Sequence, residues 1–148
     1  VLVSPDLFER YCLPYYNSYS AILKARGKIV ISHMDGRLNV LKDLIARARL
    51  DVIEAFTPPP MGDLRPSVAK RIWKDKVIWM NLPEEVFFRN SQEIMQYVLE
   101  LLGEIAPGKG YILGITEDSH PDHFKKGIKI VTETVNEKGN LPISTPLA

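Results

Sequence analysis

An imidazole and a carboxylate stand two residues apart in Ile29-Val30-Ile31-Ser32-His33-Met34-Asp35-Gly36. The β-branched and apolar residues Ile29 to Ile31, with Ser32, predict a buried strand running straight into that polar pair. Alternation along such a strand puts Ile29, Ile31, His33 and Asp35 on one face. The side that fills a core lower down then presents His33 and Asp35 at its rim, which makes them candidate catalytic residues. In parallel α/β sheets the carboxyl ends of the strands are where ligands bind. Two more polar residues hold comparable places. Glu54 interrupts the apolar run Asp51-Val52-Ile53-Glu54-Ala55-Phe56, where an unpaired charge is costly, so it is a candidate substrate-binding residue or a partner to a cation. Asn81 closes Val77-Ile78-Trp79-Met80-Asn81 as His33 closes the first strand. Tyr15, in the aromatic run Tyr15, Tyr16 and Tyr19, could stack on a flat substrate, although aromatic stripes at helical spacing are more often core.

The elements that would position these groups follow one plan. Ser4-Pro5-Asp6 opens a helix with a cap, a proline at the first position and an acid at the positive end of the dipole. Leu7, Phe8, Tyr11, Tyr15, Tyr19, Ile22 and Leu23 give it an apolar stripe, Pro14 should bend or split it, and Gly27 ends it. After Gly36, residues Leu38, Leu41, Ile45 and Ala48 mark the inner face of a second helix. The second strand, Asp51 to Phe56, ends in the stiff loop Thr57-Pro58-Pro59-Pro60-Met61-Gly62-Asp63, read as a rigid wall at the sheet's carboxyl end. Leu64, Val68, Ala69 and Ile72 mark a third helix before the strand that ends at Asn81. Asn90 and Glu93 have capping-box spacing ahead of Ile94, Met95, Val98, Leu101, Leu102 and Ile105. Tyr111 to Ile115 is a fourth strand, followed by the polar loop Thr116-Glu117-Asp118-Ser119-His120-Pro121-Asp122-His123 and a helix faced by Phe124, Ile128, Val131 and Val135. His120 and His123 could chelate together on a helix, but a solvent-facing pair is the plainer reading.

A helix followed by four βα units predicts an α/β fold with a parallel sheet. Four strands are half of a (β/α)8 TIM barrel, whose closed form needs about 250 residues. Residues 1–136 form that unit, and residues 137–148 are expected to be an irregular tail. The chain has 148 residues, 45% of them hydrophobic, enough for one core. Lys and Arg number 19 against 18 Asp and Glu, so charge recommends neither nucleic acid nor a membrane surface as partner. Cys12 is the sole cysteine, which excludes an intramolecular disulfide and fits the cytoplasm. No apolar run approaches the ~18 residues of a membrane span. The sequence begins at Val1 and not at a methionine, so either the removal of an initiator or tag or a piece of a longer chain is expected.

The set formed by Phe8-Glu9-Arg10-Tyr11-Cys12-Leu13-Pro14-Tyr15, the strand into Asp35-Gly36, the proline loop with Met61-Gly62-Asp63, Asn81-Leu82-Pro83 and Tyr111-Ile112-Leu113-Gly114 resembles the uroporphyrinogen decarboxylase superfamily over roughly residues 7 to 135. The resemblance implies the C-terminal half of that family's barrel. Its decarboxylase branch, which acts in porphyrin biosynthesis without a cofactor, implies a Gly-His-Gly element after the last strand; here the loop reads Thr116-Glu117-Asp118. Adjacent carboxylates would repel a substrate rich in carboxylates. Its methyltransferase branch implies a zinc bound by His-x-Cys and a later Cys. Here His33-Met34-Asp35 takes the first position and Glu117 or Asp118 the second, so His33, Asp35 and Glu117 are candidate metal ligands and catalytic residues, with Asp118 a substrate contact. Zinc accepts N and O ligands, and such an ion could activate an ether, hydroxyl or amine as leaving group. The expectation is therefore a corrinoid-protein-dependent methyltransferase acting on a small-molecule methyl donor. The alternatives are a uroporphyrinogen decarboxylase and a non-catalytic half-barrel whose exposed edges pair in a homodimer.

Overall fold

The structure is a computed structural model and describes residues 3–116 and 120–144. Ser4 opens α1 (Pro5–Leu7): its Oγ accepts from the Leu7 N–H at 3.3 Å, and Pro5 takes the first position. The chain then runs through a π-helical stretch, Phe8–Cys12, into α2 (Leu13–Lys24). The split that Pro14 predicts takes this form. A proline supplies no N–H to the preceding turn, and a wider turn with i+5 bonding, such as Leu13 N–H to the Phe8 carbonyl, absorbs the loss.

The four strands β1 (Ile31–His33), β2 (Val52–Phe56), β3 (Val77–Leu82) and β4 (Tyr111–Ile115) form one parallel sheet in sequence order. Between them lie α3 (Lys42–Arg47), entered through a 3-10 turn at Asn39–Leu41, α4 (Pro66–Ile72), the short α5 (Glu84–Phe87) and α6 (Ser91–Ile105); α7 (Pro121–Lys138) follows β4. This is the α/β half of a (β/α)8 barrel. The capping box that opens α6 is complete, with Glu93 N–H donating to Asn90 at 3.0 Å and Asn90 N–H donating to Glu93 at 3.1 Å. The short α5 was not legible from periodicity, because one turn is too short to show any.

The core lies on one side of the sheet. Ile53, Ile78, Met80 and Leu82 are fully buried together with Ile45, Trp73, Ile94 and Val98 from the helices. At Gly127 a Cβ would collide with the Phe87 ring, so α7 approaches α5 more closely than any larger residue would permit. The other face is open: Ile31 is 50% exposed and Ile112 43%. Among the described residues both edges, β1 and β4, lack a further strand.

Two expectations are corrected, and β2 carries a bulge. The first strand is shorter and later than Ile29 to Ser32, and only Val30 of its apolar residues is buried; Ile29 and Ile31 face outward on the open side, the side that would line a barrel. The stripe Leu7, Tyr11, Tyr15, Tyr19, Ile22 and Leu23 is exposed. The helical run packs instead through Phe8, Leu13, Tyr16 and Ser20, because the β1 side of the sheet meets that other face. Phe56 does not share a face with Glu54. Ala55 takes a left-handed φ of 59° and the register shifts between Ile53 and Phe56, a bulge that turns Phe56 into the core edge-on to Trp73. After α7 the chain is irregular from Gly139, yet Ile143 is buried and donates its N–H to the Pro107 carbonyl.

Candidate active site

His33 ends β1 directly opposite Glu54 on β2, and parallel pairing brings their side chains together on the open face. His33 Nδ1 lies 2.8 Å from Glu54 Oε2. Glu54, expensive as a lone charge in an apolar strand, is thereby accounted for as the partner of an imidazole. Beside this pair, at the carboxyl ends of the strands, is a cavity of about 320 Å³ lined by both His33 and Asp35. Asp35 lies past the end of β1, where Gly36, at φ 74°, turns the chain toward α3.

The remaining wall comes from the loops that follow each strand. Thr57 and Met61 come from the proline loop, which is held in place at both ends. Gly62 N–H donates to the Pro58 carbonyl at 3.2 Å, and Asp63 accepts from the Asn39 N–H at 3.0 Å. A Cβ at Gly62 would collide with the Thr57 carbonyl oxygen, so glycine is what lets the loop close. Thr57 Oγ1 in turn donates to the carbonyl of the strained Ala55 at 3.0 Å. Asn81, at the end of β3, and Glu84, in the first turn of α5, face the same space, as does Thr116 after β4. Glu84 also accepts the His120 N–H at 2.9 Å, fixing the amino end of α7.

The structure therefore brings His33, Asp35, Glu54 and Asn81 to one region. Tyr15 is not there: it lies on the outer face of α2, stacked on Tyr19 at 6.4 Å. Glu117 and Asp118 lie outside the described residues. His120 and His123 pack with Phe88, the His123 ring 4.7 Å from it, and His120 caps α7 by accepting the Asp122 N–H. Among the described residues no three His, Cys, Asp or Glu side chains are grouped to hold a metal ion. Thr57, Glu84 and Thr116 escaped the sequence reading. Their one signal was position, immediately after a strand.

No helix among the described residues is long and apolar enough to cross a membrane. The family described as "Uroporphyrinogen decarboxylase (URO-D)" matches residues 1–138 of the chain. A Dictyostelium discoideum protein named "Uroporphyrinogen decarboxylase" is 27% identical over 138 residues, covering 91% of this chain and 36% of that one. The chain thus spans about a third of that relative's length. Half a barrel with its polar groups gathered at the strand carboxyl ends, and a family match over nearly its whole length, place this chain in the uroporphyrinogen decarboxylase family.

Proposed function

We propose that this chain is the C-terminal half-barrel of an enzyme that transfers a methyl group from a small polar donor to a corrinoid carried by a partner protein. The observation that carries this reading is the lining of the cavity at the strand carboxyl ends. It combines the imidazole of the His33–Glu54 pair, Asp35, Asn81 and Glu84, and among the described residues no Lys or Arg. Glu54 holds the His33 ring through Nδ1. The imidazole can deliver a proton to the donor's heteroatom as its bond to the methyl carbon breaks, with the carboxylate stabilising the imidazolium that precedes transfer. The corrinoid supplies the methyl acceptor. Asp35 and Asn81 orient the donor, and the proline loop limits water at the reacting bond.

A second reading, decarboxylation of a porphyrinogen, is favoured by the name of the Dictyostelium relative. A substrate with many carboxylates needs cationic groups around it, and among the described residues none lines this cavity. The test is methyl transfer by the native protein to free or protein-bound cob(I)alamin from a panel of methylated amines, ethers and alcohols. His33→Ala is expected to lower turnover by at least about 100-fold, the range of a lost general acid, and Glu54→Gln by roughly tenfold. Porphyrinogen turnover without methyl transfer, or full methyl transfer by His33→Ala, would overturn the proposal.

A further inference from the structure

Asn81, near the carboxyl end of β3, is only 6% exposed, and none of the hydrogen bonds among the described residues involves its carboxamide, whose polar atoms stay open to the cavity. Buried amides are almost always hydrogen-bonded, because losing water without a replacement is costly. This one lines the cavity beside the His33–Glu54 pair, so the partner it lacks within the protein can be supplied from the cavity.

The neighbouring strand packs close at this point. Gly114 is the β4 residue in register with Asn81. A Cβ at Gly114 would stand 3.1 Å from Asn81 Oδ1 and 2.8 Å from Trp79 Nε1. Any larger residue would push against both the carboxamide and the indole, so glycine at this position lets β4 pack close against Asn81 and leaves the carboxamide where it stands.

The charge of the wall selects among ligands. Asp35 and Glu84 contribute carboxylates to the same cavity, and among the described residues no Lys or Arg lines it. Such a site favours a group that donates hydrogen bonds or carries positive charge and disfavours a carboxylate. We propose that Asn81, set in place by the close approach of Gly114, is the specificity-determining contact of this cavity, and that the ligand class is a small amine bound as its ammonium ion. This rests on the reading of the cavity as the substrate site and adds what the site selects.

The experiment is calorimetric titration of the native protein with methylammonium chloride, and with sodium acetate as the anionic counterpart. Methylammonium is expected to bind in preference to acetate. Asn81→Ala is expected to weaken it by roughly tenfold, the size of one lost hydrogen bond to a charged group. Gly114→Ala approaches the same contact from β4 without removing the amide, and is expected to weaken binding as well. Binding of acetate in preference to methylammonium, or undiminished methylammonium binding in folded Asn81→Ala or, where that variant does not fold, in Gly114→Ala, overturns the inference. The two proposals fail separately. Methyl transfer indifferent to Asn81→Ala overturns this one alone, whereas Asn81-dependent ammonium binding in a protein without methyl transfer overturns only the methyltransferase reading.

Discussion

Asp51 sits at the amino end of β2, the end of the sheet away from the cavity, and serves stability. Its carboxylate accepts from Lys24 Nζ at 2.7 Å and from the Val30 N–H at 2.8 Å, tying α2 and the approach to β1 onto β2. Burial pushes its carboxyl pKa up; the Lys24 and Val30 hydrogen bonds and the charges of Lys24 and Lys76 outweigh this and hold it below the ordinary value. A carboxyl depressed in the folded state stabilises the fold above its ordinary pKa, and that contribution is lost as the pH falls through the folded value. Asp51→Asn is expected to cost about 1 kcal/mol at pH 7, a figure already discounted for solvent screening at a part-exposed pair. The gap between variant and parent should close as the pH falls below about 4. Urea unfolding at pH 7 and pH 3 measures it, and an equal gap at both would assign the stabilisation to something other than the charge. His33 and Glu54 show the converse division of labour: partly exposed on the open face, their pair lies at the cavity and not among the contacts that hold the core.

At the scale of elements, the bulge in β2 decides what the sheet presents. Plain alternation after Ile53 would put Glu54 and Phe56 together on the open face. The left-handed Ala55 lets Glu54 reach His33 while Phe56 turns into the core against Trp73. Such a conformation in a residue with a Cβ costs on the order of 1 kcal/mol, and it persists here because buried Phe56 and the Thr57 hydroxyl on the Ala55 carbonyl fix both sides of it. A β-branched residue tolerates positive φ far less well, and Ala55 is buried. Ala55→Val is therefore expected to destabilise by about 2 to 4 kcal/mol. Ala55→Gly should be nearly neutral, since relief of strain offsets the greater freedom of the unfolded chain. A thermal melt of the two variants checks this. An equal loss in both would mean that Ala55 matters for its methyl group and not for its backbone.

The whole molecule is a sheet with one packed and one open face, and that asymmetry is measurable. Ile53 is fully buried on the helix side, and Ile31 is half-exposed on the other. In the 148-residue chain, Ile53→Ala should cost about 3 kcal/mol and Ile31→Ala less than about 1. A comparable loss at Ile31 would mean that the open face is covered in solution, as a closed barrel or a dimer would cover it. The sequence by itself determined the four βα units, the capping box at Asn90 and the residues at each strand's carboxyl end, because caps, alternation and helical periodicity are local properties of the chain. It could not show which way the stripe from Leu7 to Leu23 faces, since a stripe records only that a face is apolar and not what lies against it. It placed His33 and Glu54 twenty-one residues apart and left the function of each open. Parallel pairing of β1 with β2 joined them, the bulge at Ala55 removed Phe56 from beside them, and the glycine in register on β4 let Asn81 and Trp79 pack close. Each depends on register between strands distant in sequence, which is settled only when the sheet assembles.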